Sequence, residues 1–328
     1  MNVLLNAGGL TIWASVIVFL IIILILVIVI LVAKDKLLPS GNVKININDD
    51  KDKVLEVAQG GTLLNTLQAN DIYLSSACGG KGTCGECRCR VPEGGGEILP
   101  TEKGHFTRKE QLNHWRLSCQ VKVKEDMKVV VPDEIFGIKE WECEVISNNN
   151  VASFIKEFVV KLPEGETIDF KPGSYSQIRV PKYEAIKFKD FDIEEKYKPE
   201  WDKFQMWDLV AKNEEDTSRA YSMANFPAEG NIITLNVRVA TPPFDRAKNT
   251  WMNVNPGIVS SYIFNLKPGD KVMMSGPFGE FHPILDSKRE MLWIGGGAGM
   301  APLRSQIMHL TKTLEISDRK MSYFYGAR

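Results

Sequence analysis

The hydrophobic pattern of the chain begins with a long apolar segment. Residues 10–33 are almost wholly apolar, and the first charged side chain is Lys34. A helix of this length spans about 36 Å at about 1.5 Å per residue, which is enough to cross a bilayer. The pattern predicts a membrane-anchoring helix, with a signal peptide or a buried core helix as the alternatives. Because Lys34 and Lys36 follow the segment and nothing basic precedes it, the rest of the chain is expected in the cytoplasm.

A different pattern follows the apolar segment. Apolar and polar residues alternate with period two over residues 43–47 and 53–57, which is typical of half-buried strands. Residues 62–69 are predicted to form a helix, and residues 121–131 a closing strand. Together these elements predict a small β-grasp domain over residues 37–133, after an anchor segment over residues 1–36.

The middle of the chain consists of short apolar runs separated by turn residues. This pattern predicts an antiparallel β-barrel over residues 134–284. The segment 182–216 interrupts it and is dense in charge, yet it contains many aromatic residues. Such a composition is unusual for a disordered linker. We consider two interpretations, an ordered insertion that packs on the barrel and a solvated excursion with a few anchors.

The last segment, residues 285–328, has the pattern of one βαβ unit. A short apolar strand over residues 291–294 precedes a glycine-rich turn, a helix over 303–314 and a strand over 320–325. This predicts the start of an α/β nucleotide-binding domain. Because the sequence ends here, we expect an incomplete nicotinamide domain and little reduction of a bound flavin by NADH.

Composition and charge narrow the function classes. The chain has 328 residues, of which 44% are hydrophobic and 25% charged, as expected for globular domains. Its 40 Lys and Arg residues against 41 Asp and Glu residues leave a formal net charge of −1. This balance argues against nucleic acid as a partner, because no basic excess is present to neutralise phosphates.

The spacing of four cysteines indicates the first candidate functional site. Cys78, Cys84 and Cys87 read C-x5-C-x2-C in a glycine-rich loop, and Cys119 follows in the run RLSCQ. Three thiolates in one loop and a distant fourth are typical of a [2Fe–2S] ferredoxin, although the plant-type spacing is one residue shorter. The four cysteines are therefore the predicted cluster ligands.

The alternative to a cluster is a zinc site. Zinc sites usually use two C-x2-C pairs, and this loop has one. Two other cysteines lack a ligand pattern. Cys89 alternates with polar residues in a strand, and Cys143 has no partner motif, so both are predicted to be packed side chains.

Two further motifs resemble the ferredoxin–NADP reductase family. The run RAYS resembles the flavin motif R-x-Y-S, and the run GIVSS resembles the G-x-x-S element. The resemblance implies FAD binding. The implied residues are Arg219, Tyr221, Ser222, Gly257, Ser260 and Ser261. An Arg can pair with a pyrophosphate, a Tyr can stack on the isoalloxazine, and a Ser can bond flavin N5. Tyr221 and Ser222 are the expected catalytic residues, and the amides of Ser260 and Ser261 are expected to hold a phosphate.

The glycine turn of the last segment resembles the G-G-G-x-G-x-x-P turn of the same reductases. A glycine turn before a helix is a usual site for the pyrophosphate of NADH. The expected NADH-binding residues are Gly295, Gly296, Gly297, Gly299 and Pro302.

The order of these modules resembles the F subunits of the sodium-translocating NADH:quinone reductases. The runs RAYSMAN, SGPFGEF and GGGAGMAP contribute to the resemblance, which covers the whole chain. It implies an enzyme subunit at the bacterial inner membrane, single-pass, with its redox domains on the cytoplasmic side. Electrons would pass from NADH to FAD, to the [2Fe–2S] cluster, to other membrane subunits and, through the complex, to quinone.

Two alternative functions use the same modules. One is the reductase component of an oxygenase, against which the predicted anchor argues. The other is a membrane-tethered electron carrier without NADH activity, because part of the nucleotide domain would be missing.

Overall fold

The computed structural model describes residue 13, residues 15–30 and residues 41–326. Residues 15–30 are helical, and their side chains are exposed. The predicted span over residues 10–33 lies partly outside the described residues. Within the described part of the chain, no helix has both the length and the apolar character needed to cross a membrane.

The first folded unit is a five-stranded mixed sheet with the strand order β2-β1-β5-β3-β4. Its strands are β1 (Asn42–Ile47), β2 (Val54–Ala58), β3 (Arg88–Glu93), β4 (Trp115–Leu117) and β5 (Met127–Val130). Its helices are α1 (Leu63–Gln68), α2 (Pro100–Lys103) and α3 (Arg108–Leu112). Strand β1 is antiparallel to β2 and parallel to β5, which fits the predicted β-grasp arrangement.

The alternating segments form β1 and β2 within one residue of the predicted bounds, and α1 lies inside the predicted helix. Helix α1 begins where the Thr62 side chain accepts a hydrogen bond from the amide of Asn65 at 3.2 Å. The prediction of a strand over residues 121–131 is wrong in its first half. Val121 and Val123 are buried, but this part is not in the sheet and pairs only through an isolated bridge between Lys122 and Thr62, the residue before α1. Alternation reports burial of side chains and does not require a strand partner.

A buried ion pair holds the segment that precedes the fourth cysteine. The Arg116 guanidinium lies 2.8 Å from a Glu102 carboxylate oxygen, and both side chains are almost fully buried. Glu102 also accepts a hydrogen bond from the amide of Leu117 at 2.8 Å. Because the carboxylate has several donors, its burial is compensated. Helix α2 and strand β4 are thereby fixed to each other.

The second unit is built on a six-stranded antiparallel sheet with the order β11-β8-β15-β6-β7-β12. The strands of this unit are β6 (Lys139–Ala152), β7 (Ile155–Lys161), β8 (Tyr175–Val180), β9 (Tyr183–Lys187), β10 (Val210–Asn213), β11 (Thr217–Ser222), β12 (Ile232–Arg238), β13 (Phe244–Asp245), β14 (Thr250–Trp251) and β15 (Lys271–Phe278). Its helices are α4 (Lys198–Lys203) and α5 (Ile258–Asn265).

The expectation of a closed barrel needs correction. The two edges of this sheet, β11 and β12, meet only at an isolated bridge between Met223 and Leu235. One backbone bond, from the amide of Ala224 to the carbonyl of Thr234 at 2.7 Å, continues the contact. The sheet therefore curls around its core without a continuous ladder between its edges.

The charged insertion is ordered and packed. Strands β9 and β10 pair antiparallel, and the segment between them buries Phe188 and Trp201 completely. The Trp201 indole donates a hydrogen bond to the carbonyl of Ser153 at 2.6 Å. Of the two interpretations of the sequence, the packed insertion agrees with the structure, because its aromatic side chains extend the core of the second unit.

The third unit is the predicted βαβ arrangement. Strands β16 (Met291–Gly296) and β17 (Met321–Gly326) are parallel, and helix α6 (Met300–Met308) lies between them in sequence. Helix α6 contacts the second unit through polar bonds. Arg304 pairs with Glu229 at 2.7 Å, and the Ser305 hydroxyl donates to the carbonyl of Asn225 at 2.7 Å. These bonds fix the glycine turn at the start of α6 relative to the second unit.

Candidate functional site

The four predicted ligand thiols form two pairs. The sulfurs of Cys78 and Cys84 are 3.4 Å apart. Cys87 and Cys119 are both buried and share a hydrogen bond between their side chains. Among the described residues, no group of three or more His, Cys, Asp or Glu side chains is arranged to bind a single metal ion. Two pairs of thiols are what a binuclear cluster requires, because each of its two irons takes two protein ligands.

Hydrogen bonds favour the thiolate form of two of these cysteines, Cys78 and Cys119, whereas burial raises the pKa of Cys84. Burial opposes ionisation of Cys78, but N–H donors from Cys84 and Thr83 outweigh it and lower its pKa to about 6. The hydrogen bond from Cys87 lowers the pKa of Cys119 to about 7 and raises that of Cys87. Thiolates are the form that binds iron. The donor set therefore fits a [2Fe–2S] cluster.

The two cysteines that were not predicted as ligands lie inside hydrophobic cores. Cys89 in β3 and Cys143 in β6 are fully buried. Burial raises the pKa of each thiol to about 12, so both are neutral packed side chains at pH 7.

Strand β11 carries the residues expected to bind the flavin. It pairs with β8 so that Tyr221 lies opposite Ser176, and Ser222 lies opposite Tyr175. Residues 217–222 are all half-buried, as expected for a strand that lines a ligand site. The Arg219 guanidinium donates to the carbonyl of Ser218 at 2.7 Å, which leaves its other nitrogens for an anion. Arg219 and Tyr221 lie on one face of the strand, since they are two residues apart.

Helix α5 packs against β11 and presents the candidate phosphate site. Gly257 is the N-cap of this helix, so the first three helical residues have amides without partners inside the helix. The expectation for Ser261 needs correction, because its amide already donates to the carbonyl of Gly257 at 3.0 Å. The free amides are those of residues 258–260. A helix end with free amides and a strand that carries an Arg is a donor set that fits the pyrophosphate of FAD.

The two serine side chains of α5 differ in their hydrogen bonding. The Ser260 hydroxyl donates to the carbonyl of Gly257 at 3.1 Å and accepts from the amide of Ala240 at 3.1 Å. It therefore ties the segment that follows β12 to the start of the helix. The Ser261 hydroxyl is buried and has no hydrogen-bond partner, which is unusual for a buried polar group.

The loop before the cluster cysteines rests on the flavin sheet. The hydroxyls of Ser75 and Tyr175 are hydrogen bonded, and the Gln177 amide donates to the carbonyl of Leu74 at 3.4 Å. A Cβ atom on Gly79 would lie 2.3 Å from the backbone carbonyl oxygen of Ser218, and the φ of Gly79 is +66°, so only glycine permits this approach to the strand that carries Arg219. The cluster loop and the candidate flavin strand are thus in direct contact.

Sequence reasoning missed Tyr175 and Gln177. Neither belongs to a motif, and each contacts a residue about 100 positions earlier in the chain. Tyr175 stacks on Phe278, with ring centroids 5.6 Å apart. A cavity of about 60 Å³ remains between the two units, lined in part by Ser76 and Ser218, which is room for water. No sequence signal identifies such contacts, because the relative placement of two domains creates them.

The glycine turn lies between β16 and α6, where the sequence pattern placed it. Gly295 and Gly296 end the strand, and Gly297 to Gly299 form a single 3₁₀ turn. Pro302 is the third residue of α6, in the first helical turn. A turn of this kind at the end of a parallel strand is the usual site of a dinucleotide pyrophosphate.

A ferredoxin-like unit with paired thiols, in contact with a flavin-binding sheet, defines an iron–sulfur flavoprotein reductase. A model of the "2Fe-2S iron-sulfur cluster binding domain" matches residues 46–124, and one of the "Oxidoreductase FAD-binding domain" matches residues 203–282. The chain belongs to the family of Na(+)-translocating NADH-quinone reductase F subunits. It is 53% identical over 297 residues to the F subunit of Pseudomonas aeruginosa, covering 90% of this chain and 70% of that relative. It is 54% identical to that of Actinobacillus succinogenes, covering 90% and 71%.

Solved structures show the same fold. The cytochrome P450 reductase GcoB of Amycolatopsis is similar with a TM-score of 0.53 and 20% sequence identity, covering 87% of this chain and 72% of that one. A ferredoxin reductase of carbazole 1,9a-dioxygenase is similar with a TM-score of 0.51 and 20% identity, covering 88% and 72%. At this identity the likeness concerns the fold alone.

Proposed function

We propose that this chain is the NADH-oxidising, electron-input subunit of a membrane-associated, sodium-translocating NADH:quinone reductase. The family relationship supports this function, and the contact between the cluster loop and the flavin strand carries it structurally. When bound, FAD exchanges a hydride for single electrons, and the [2Fe–2S] cluster accepts them singly. The contact between the two units would hold these groups close together.

Each cofactor has a proposed set of residues. Cys78, Cys84, Cys87 and Cys119 hold the cluster as two pairs, one for each iron. Cys89 and Cys143 take no part, because each packs in a hydrophobic core and belongs to neither thiol pair.

The flavin residues divide into phosphate and ring contacts. The guanidinium of Arg219 and the free amides of residues 258–260 would hold the pyrophosphate. Tyr221 would stack on the isoalloxazine ring, and the hydroxyl of Ser222 would bond flavin N5. Gly257 permits the close turn before α5, since a Cβ atom there would lie 2.5 Å from that of Ala240.

For NADH, we propose the turn at residues 295–299 as the pyrophosphate site, with Pro302 fixing the first turn of α6. Arg304 and Glu229 position this turn relative to the flavin sheet. The nicotinamide ring must reach the flavin face for hydride transfer, so this contact orients the two units.

The proposed domain boundaries are an anchor over residues 1–36, a ferredoxin domain over 37–133, a flavin domain over 134–284 and a nucleotide unit over 285–328. The anchor is proposed to be a single-pass helix over about residues 10–33, with the redox domains on the cytoplasmic side of the bacterial inner membrane. Its apolar length and the following Lys34 and Lys36 support this topology. Partners are then the other membrane subunits, through which electrons reach quinone.

Single serine variants test the site. Each of the four ligand substitutions should abolish the reduced-state EPR signal of a [2Fe–2S] centre. Cys89→Ser and Cys143→Ser are matched controls, because they remove a buried thiol from the same or the adjacent unit, and both should keep the signal. Retention of the signal in Cys119→Ser and its loss in Cys89→Ser would refute the ligand assignment.

A further inference from the structure

The side chain of Gln120 contacts the fourth candidate ligand. Its amide nitrogen lies 3.6 Å from the sulfur of Cys119, within the range of an N–H···S hydrogen bond. Its own backbone amide donates to the carbonyl of Leu117 at 2.8 Å, which fixes the turn that follows β4. The Gln120 side chain therefore extends from a fixed backbone position that lies directly beside the Cys119 sulfur.

The cluster loop confines this amide from the other side. A Cβ atom on Gly82 would lie 2.7 Å from the Gln120 amide nitrogen, and the φ of Gly82 is +73°. The backbone amide of Gly82 also bonds Cys119. Gln120 is thus held between the loop and the sulfur, and Gly82 leaves the space that this arrangement needs.

The orientation of the amide follows from charge. A side-chain amide has one donor end and one acceptor end. If the carbonyl end faced Cys119, its lone pairs would repel the electrons of a thiolate. The nitrogen must therefore face the sulfur, as it does in the structure.

We propose that Gln120 is a positioning residue that raises the reduction potential of the cluster through Cys119. Reduction adds one electron to the cluster and converts one iron from Fe(III) to Fe(II), and its cysteine sulfurs share the added negative charge. A hydrogen-bond donor at a ligand sulfur stabilises the more negative state, so the donor favours reduction. This role rests on the proposed function, since it requires Cys119 to be a ligand.

The test is an equilibrium redox titration of the cofactor-loaded chain, followed by the EPR signal of the reduced cluster. Gln120→Leu keeps the approximate size of the side chain and removes the donor. At a fixed potential, the ratio of reduced to oxidised cluster should fall about three- to tenfold, as expected for loss of one ordinary hydrogen bond. A tenfold fall corresponds to a shift of about 59 mV for a one-electron couple.

Gln111→Leu is the matched control. Its amide donates to the carbonyl of Phe106 at 2.9 Å, in the same unit and away from the sulfurs. This variant should keep the potential of the unmodified chain. If Gln120→Leu assembles no cluster, Gln120→Asn shortens the side chain by one methylene and withdraws the same donor, so it should also lower the potential.

Each outcome decides the matter. A lower potential in the Gln120 variants, with an unchanged control, supports the role. An unchanged potential in Gln120→Leu or Gln120→Asn overturns it. A [2Fe–2S] signal that survives in Cys119→Ser would instead overturn the ligand assignment on which the role rests, and thus separates the two failures.

Discussion

The hydroxyl groups of Ser75 and Tyr175 form a hydrogen bond that joins the ferredoxin-like unit to the flavin sheet. Ser75 lies three residues before Cys78 in the sequence, and Tyr175 is the cross-strand neighbour of Ser222. The bond therefore connects the loop of the first proposed cluster ligand with the strand that is proposed to contact flavin N5. Electron transfer depends steeply on distance, so contacts that fix this distance matter for function.

Tyr175→Phe removes the hydroxyl and keeps the ring that stacks on Phe278. Loss of one hydrogen bond costs about 0.5–1.5 kcal/mol. We expect amide hydrogen exchange in residues 73–79 to become severalfold faster, with unchanged iron and FAD content, because the loop opens locally more often. Mass spectrometry of exchanged peptides measures this. Tyr183→Phe is the control, since its hydroxyl donates to the carbonyl of Ile258 at 2.9 Å within the second unit. Equal exchange in the two variants would contradict a role for the Ser75 contact.

Arg219→Ala should weaken FAD binding. The guanidinium is the charged partner proposed for the pyrophosphate, and a hydrogen bond to a charged group contributes about 1.5–3 kcal/mol. This corresponds to an increase of roughly 10- to 150-fold in the dissociation constant. Titration of the apoprotein with FAD, followed by flavin fluorescence, measures the change. Arg238→Ala removes an exposed arginine from the end of β12 and should bind FAD normally. An unchanged dissociation constant in Arg219→Ala would refute the assigned role.

Glu102→Ala should destabilise the ferredoxin-like unit strongly. Removal of one partner from a buried pair leaves the Arg116 charge without compensation, at a cost of about 3–5 kcal/mol. Urea unfolding of the cofactor-loaded chain measures the loss, with cluster absorbance as the probe of this unit. Glu93→Ala breaks the exposed pair with Lys128, whose nitrogen and oxygen are 2.7 Å apart. This control should cost about 1 kcal/mol or less. A similar loss in the free energy of unfolding in both variants would contradict the role of Glu102 in a buried ion pair.

A lysine in the core of the flavin unit makes stability depend on pH. Lys156 is almost fully buried, and its ammonium lies 3.5 Å from the carbonyl of Phe264. Burial lowers its pKa to about 8, while the nearby carboxylates of Asp192 and Glu194 oppose the shift. The unfolded chain, with a lysine pKa of about 10.4, binds more protons than the folded chain between about pH 8 and pH 10. The free energy of unfolding should therefore rise with pH in this window.

Lys156→Met removes this titration. At pH 7 the variant should be more stable than the unmodified chain by up to about 3 kcal/mol, the equivalent of the lowered pKa. The rise in stability between pH 8 and pH 10 should also flatten. Thermal or urea unfolding at several pH values measures both effects. Lys161→Met, at the exposed end of β7, should change neither. A loss of stability in Lys156→Met at pH 7 would show that the ammonium is held by compensating contacts.

Local patterns predicted the parts of this structure that depend on neighbouring residues. Period-two alternation located β1 and β2. The helix predicted over residues 303–314 after the glycine turn corresponds to α6, which begins three residues earlier, at Met300, and ends at Met308. The spacing C-x5-C-x2-C predicted a [2Fe–2S] domain, and a model of that domain matches residues 46–124. Its assignment of individual ligands stays a prediction.

Contacts between distant segments were not predictable in the same way. Val121 and Val123 alternate like a strand but are buried without a continuous ladder. Whether the Ser261 amide is free depends on where α5 begins. Because Gly257 is the N-cap, the Ser261 amide donates to its carbonyl, and the free amides are those of residues 258–260. Burial of Lys156 and the approach of Gly79 to Arg219 depend on tertiary packing, which no local pattern records.

The central claim is that flavin and cluster form one electron path within this chain. The most direct measurement is anaerobic photoreduction of the flavin in the cofactor-loaded protein, with flavin absorbance and the EPR signal of the cluster followed together. We expect the reduced-cluster signal to grow as the flavin is bleached, at low protein concentration and without an added mediator. A flavin that bleaches fully while the cluster stays oxidised, although dithionite still reduces the cluster, would contradict it.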